Sequence, residues 1–159
     1  MRTTHRAIKF PRTLYGRVIA HCLRDPAKEA CGILAGRAGK VVSADELWLV
    51  VEVYEMRNVE NSPIGYSMDP REQLAVEKQM RAKRQQLLGI YHSHTATEAY
   101  PSSVDKSLAI SPDVSYVIVS LKDRVSPTVW SYRIDGTRVE KEDVWIEEAP
   151  SGVGQAGRA

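Results

Sequence analysis

The sequence predicts an α/β fold, a single domain in which a curved mixed sheet is flanked by helices. Three observations predict it: runs rich in Val, Ile, Tyr and Trp alternate with stretches of helical periodicity, a strong hairpin signal stands near the C-terminal end, and no internal repeat is visible. A length of 159 residues suits one domain, and 43% hydrophobic residues suffice for one packed core.

Taken in order, Met1 to Phe10 is polar and basic without a following apolar segment. Leu14, Val18 and Cys22, beside Tyr15, Ile19 and Leu23, make a two-row apolar stripe that predicts a first helix ending near Asp25-Pro26. Cys22 is expected in the core. Ala30 to Ala35 and Leu47 to Tyr54 read as strands, with a short one at Val41-Val42 between them. Asn58 to Ser67 lacks periodicity and reads as a loop. Asp69-Pro70-Arg71-Glu72 has the form of a helix start, predicting a helix to about Gln86. Its thin stripe of Leu74, Met80 and Leu87 predicts a surface position. Leu88 to His92 is a short apolar strand running into His-Ser-His, so chemistry is expected at its end. Ser102 and Asp105 have the spacing of a capping box, predicting a short helix that stops before Ser111-Pro112. Tyr116 to Leu121 and Thr128 to Ile134 are strands, and Asp135-Gly136 turns the latter into a hairpin with Val139 to Trp145. From Ala149 the Gly- and Ser-rich composition predicts a flexible tail, residues 149–159, after a folded domain of residues 1–148.

Composition narrows the functional classes. Lys and Arg total 22 against 20 Asp and Glu, a net charge of +2 with no basic tract, which argues against nucleic acid as a partner. No apolar run approaches the ~20 residues of a membrane span and no secretory leader is visible. Two cysteines, Cys22 and Cys31, allow neither a disulfide framework nor a four-cysteine zinc site and fit a reducing, cytoplasmic setting. They also exclude the Pro-Cys-x-x-Cys ligand pair of a cytidine deaminase. His5 and His21 match no motif and are expected at the surface.

His92 and His94 stand two apart on a strand, so both imidazoles leave the same face and can converge on one ion. Such a pair is more often hydrogen-bonded or solvated than metal-binding, and a third ligand is required. Asp105 is near enough in sequence to fold back toward them, although its spacing from Ser102 is equally that of an ordinary helix cap; the two roles are compatible. Two His and one carboxylate would leave a fourth position of a tetrahedral zinc open, as in catalytic sites. Glu29 could act as the proton carrier such a site requires, but periodicity alone does not place it there. Cys31, two residues further on, would share its side of a strand, with buried packing favoured over a redox or metal role.

His92-Ser93-His94, seven residues, Ser102, two residues, Asp105 reproduces H-x-H-x7-S-x2-D with Glu29 upstream. This resembles the motif of the JAMM metalloproteases, the MPN or JAB family, over nearly the whole chain. Glu29-Ala30-Cys31-Gly32-Ile33-Leu34-Ala35-Gly36 and Tyr91 to Ser102 look most like one bacterial subgroup, which releases cysteine from the C-terminal Gly-Gly of a ubiquitin-like sulfur-carrier protein. Thr95 departs from the proline that many members of the wider family carry, but the subgroup shares it.

The resemblance implies a zinc peptidase with the family's cytidine-deaminase-like sheet. His92, His94 and Asp105 would be the ligands of one Zn2+. Glu29 would move the proton from water to the leaving nitrogen, and Ser102 would donate to the oxyanion. The Asn58 to Ser67 loop and the strand around Tyr116 are candidate groove walls. A peptidase trimming or deconjugating another ubiquitin-like carrier is the nearest alternative, and a non-catalytic scaffold the alternative of another class. Deubiquitination is disfavoured because the chain lacks room for extra loops that grip ubiquitin.

Overall fold

The structure, a computed structural model, describes residues 6–38 and 47–148. His5, the Val41-Val42 strand and the tail expected from residue 149 lie outside the described residues. Among the described residues, eight strands and three helices follow one another as β1 (Ala7–Pro11), α1 (Arg12–Arg24), β2 (Cys31–Arg37), β3 (Leu47–Leu49), β4 (Glu52–Met56), α2 (Pro70–Ala82), β5 (Gln85–His94), α3 (Ser103–Leu108), β6 (Ser115–Ser120), β7 (Thr128–Asp135) and β8 (Arg138–Glu147). They form one mixed sheet of order β3-β1-β8-β7-β6-β5-β2-β4.

The expected Leu47 to Tyr54 strand is two strands. Val50 donates its N–H to Lys9 O of β1 (2.9 Å), while Val51 donates to Ala35 O of β2 (2.8 Å). A run of apolar residues therefore passes from one end of the sheet to the other within two residues, which requires the sheet to curl until its ends meet. β1, a strand not among those expected from the sequence, lies parallel to β8, with Ala7 opposite Asp143 and Pro11 opposite Glu147.

α1 covers one face. Its buried Val18 and Cys22 pack with Ile8, Phe10, Leu34, Val53 and Tyr91, as the stripe predicts. α2 is less superficial than its composition suggests: Val76 and Met80 are buried against Cys31, Ile33 and Met56, whereas Leu74 of the expected stripe is 53% exposed. Asp69 caps α2 by accepting from Arg71 N (2.8 Å), but Glu72 does not complete a capping box and instead accepts from Arg57 N (2.8 Å). The helix stops short of Gln86 because Arg84 takes a left-handed φ of 54° and Gln85 already pairs with Arg37 on β2. The hairpin turn falls one residue later than expected, with Asp135 paired to Arg138 and Gly136 at φ 59°, a conformation glycine adopts without strain.

A register shift between β2 and β5 at Leu34/Ala35 sets the phase of β5. Beyond it Tyr91 faces α1, and His92 and His94 face the other side. Tyr91 crosses Gly32, where a Cβ would stand 2.1 Å from the ring. Its hydroxyl meets His21 Nδ1 of α1 at 2.6 Å, with the rings edge to face. The sequence alone predicts His21 at the surface; it is half-buried, and burial lowers its pKa. His21→Ala is expected to cost about 1–3 kcal/mol by stranding the buried Tyr91 hydroxyl, and adding Tyr91→Phe should recover part of the loss. Urea denaturation checks this, and an unchanged midpoint for His21→Ala would refute it. Among the described residues no helix is long and apolar enough to cross a membrane.

Candidate active site

The parallel pair β5 and β6 ends where the antiparallel β2 begins, and Cys31 of β2 stands opposite His92. His92 and His94, 2% and 4% exposed, place their Nε2 atoms 3.2 Å apart. Asp105 Oδ1 lies 3.2 Å from His92 Nε2 and Oδ2 lies 3.0 Å from His94 Nε2. The capping box predicted for α3 forms as well: Ser102 N donates to Asp105 Oδ2 (2.8 Å) and Asp105 N to Ser102 Oγ (3.1 Å). One carboxylate thus starts a helix and faces both imidazoles.

Glu29 joins them. It is 6% exposed, and one of its carboxylate oxygens, one Nε2 or Nδ1 of His92 and one of His94 all lie within 4.8 Å of one another, a group able to hold a metal ion. Asp105 is not in that group but contacts both imidazoles directly, so two carboxylates, Glu29 and Asp105, stand at the same pair of histidines. Cys31, by contrast, is fully buried with its thiol pushed up to about 12 by burial and the nearby Glu72 and Glu29, and its Sγ lies 4.0 Å from Met56 O. This is packing.

The electrostatics fit a cation. His94 Nδ1 faces Glu98 O at 2.8 Å, and since a carbonyl only accepts, Nδ1 carries the proton and a neutral ring presents a lone pair at Nε2. That Nε2, the His92 Nε2 and two carboxylate oxygens converge, a donor set that a metal ion or a shared proton would satisfy. The carbonyl behind a ligating imidazole is also the usual support of such a ligand. Burial holds His92 below its ordinary pKa against the pull of Asp105. Burial lowers His94 too, but the hydrogen bonds with Asp105 and Glu98 outweigh it and raise it. Burial opposes the Asp105 anion, yet hydrogen bonds with His92, His94 and Ser102 hold its carboxyl well below the usual range. Glu29, with Oε2 buried and unpartnered, is pushed up to about 7 by burial, His94 opposing and Asp105 adding.

Several residues at the site carry no recognisable signal in the sequence. Tyr66 stacks on His92, with centroids 4.7 Å apart. Ser93, facing away from the histidines, accepts from Ala30 N at 2.8 Å and donates its own N–H to Ala30 O at 3.0 Å. A cavity of about 400 Å³ adjoins His92 and Asp105, with Tyr66, Ile90, Tyr116 and Ile118 in its wall. Both candidate groove walls thus meet at this cavity.

The family described as prokaryotic homologs of the JAB domain matches residues 11–135. The chain belongs to this family. It is 42% identical over 135 residues to the CysO-cysteine peptidase of Mycobacterium tuberculosis, covering 85% of this chain and 88% of that protein. It is 29% identical over 108 residues to a desampylase of Haloferax volcanii, covering 67% and 73%. The solution structure of a protein from Desulfitobacterium hafniense superposes with a TM-score of 0.78 at 38% identity, covering 91% of this chain and 95% of that one. As a JAB domain with peptidase relatives across most of its length, the chain is a hydrolase, and its curled mixed sheet is the JAB fold.

Proposed function

We propose that this chain is a zinc-dependent peptidase that hydrolyses the C-terminal Gly-Cys amide of a ubiquitin-like sulfur carrier and releases cysteine. The observation that carries the reading is the convergence of His92, His94 and Asp105 beside the buried Glu29. Resemblance to the CysO-cysteine peptidase supports the choice of substrate.

His92, His94 and Asp105 would hold the zinc. When bound, zinc supplies a Lewis acid that lowers the pKa of water to roughly 7 and shares the negative charge of the transition state. Glu29 takes the proton of the attacking water and returns it to the leaving nitrogen, a double role suited to a carboxyl that burial brings up to about 7. Ser102 Oγ accepts from Asp105 N, leaving its hydroxyl proton to donate to the oxyanion of the tetrahedral intermediate. An extended Gly-Gly tail would run along the groove between Tyr66 and Tyr116, where its lack of side chains permits close approach.

The test incubates the zinc-loaded protein with a carrier ending in Gly-Gly-Cys and follows the loss of the terminal cysteine by mass spectrometry. Cleavage should stop on chelation and return with zinc. An intact carrier, with a different fusion cut, would replace this reading by the second one, trimming or deconjugation of another ubiquitin-like carrier, which the resemblance to the desampylase favours. Ser102→Ala should lower kcat by about 10²–10³ and destabilise the cap by ~1 kcal/mol, while Ser102→Thr restores both. A Ser102→Ala enzyme with normal kcat would remove the oxyanion role.

A further inference from the structure

The 58–67 loop grips Glu29 through its backbone on both sides. Glu29 N donates to Ser62 O at 2.9 Å, and Glu29 O accepts from Asn58 Nδ2 at 3.0 Å. The same Asn58 amide organises the loop. Nδ2 also donates to Gly65 O (2.9 Å), and Oδ1 accepts from Glu60 N (3.1 Å) and Ser67 N (3.0 Å). All four hydrogen-bonding positions of one planar amide are filled, one of them by the backbone of the residue read as the proton carrier. Thr95 ties the loop to the far side of the site by donating to Pro63 O at 3.0 Å, a bond that proline there could not make.

The Glu29 side chain has little of its own to fix its direction, for the buried Oε2 has no hydrogen-bond partner. Its aim therefore follows from where its backbone is held. Ser93 fixes Ala30 on one side; Asn58 and Ser62 fix Glu29 itself.

We infer that Asn58 is a positioning residue for Glu29, aligning its carboxylate for proton transfer without contributing to metal retention. The inference rests on the reading of Glu29 as proton carrier. Asn58→Asp keeps an acceptor for Glu60 N and Ser67 N, so that half of the loop's bonding survives, but it loses the donor to Glu29 O and to Gly65 O. Displacement of a reacting group by a fraction of an ångström lowers rates steeply, so kcat should fall roughly 10–100-fold. KM for the carrier should stay within about threefold, because binding is not the step affected. Asn58→Ala provides a second variant with the acceptor lost as well.

The experiment measures kcat, KM and zinc per chain for Asn58→Asp and Asn58→Ala, alone and on the Glu29→Gln background, where the residual rate is followed in single turnover. A residue acting through Glu29 lowers kcat in the parent, leaves zinc content unchanged, and produces no further loss once Glu29 is gone. A rise in KM alone, a loss of zinc, an unchanged kcat, or losses that multiply on the Glu29→Gln background would each overturn the inference. Wild-type turnover by Glu29→Gln itself would instead show that the underlying reading of Glu29 has failed.

Discussion

Glu29→Gln lowers kcat by about 10²–10⁴ while the metal content stays at that of the parent protein, the range expected when a positioned general base is removed. Gln has the shape of Glu, and the main chain here is anchored at Ser62 and Asn58 whatever the side chain. What changes is that an amide cannot take a proton from water or return one to an amine. Stability should not suffer, since a carboxylate 6% exposed with an unpartnered oxygen costs free energy in its charged form that a neutral amide does not. The measurement pairs steady-state kinetics with elemental analysis. A wild-type rate would end the proton-transfer role, and loss of zinc together with the rate would make Glu29 a ligand.

Asp105→Asn is the second large effect. Of the two carboxylates at the centre, this is the one in contact with both imidazoles. Removing its charge should weaken zinc binding by at least about 10–100-fold, with activity at limiting zinc falling in parallel. The substitution separates the two roles of Asp105, because an Asn side chain still offers an oxygen to Ser102 N. The helix start should therefore survive, and the loss of helix stability should remain below the ~1 kcal/mol of a deleted cap. Zinc titration and thermal unfolding of the zinc-stripped protein check the two parts. Unchanged zinc affinity would transfer the third coordination position to Glu29, the alternative that the Glu29, His92 and His94 grouping offers.

Much of the candidate site is legible in the sequence because three of its residues lie close together along the chain. The spacing of His92 and His94 places them on one strand face whatever the fold, and Ser102 to Asp105 is a local capping pattern. Glu29 is different. Nothing near it in sequence announces a buried carboxyl, and only the family resemblance put it at the site; its location follows from β2 pairing with β5, a tertiary fact. Tyr66 and Asn58 were missed for the same reason: a polar loop without periodicity gives no indication of which side chain turns inward. His21 was misplaced because its partner Tyr91 is 70 residues away. The division of Leu47 to Tyr54 into two strands was likewise invisible, since Val50 and Val51 have the same local character as their neighbours and differ only in which end of the sheet each one bonds.

The position of β1 bears on how the chain reaches this state. Its neighbours are β3 and β8, and its pairing joins Ala7 to Asp143. Ala7 to Pro11 is the first of the described strands along the chain, yet one of the two strands that flank it, β8, is the last of them. Contacts so far apart along the polypeptide are slow to form because closing long loops costs entropy before any bond is gained. Ile8 and Phe10, both fully buried, gain their neighbours Val144 and Ile146 only by pairing across nearly the whole described chain, so the order of the first strand depends on the last.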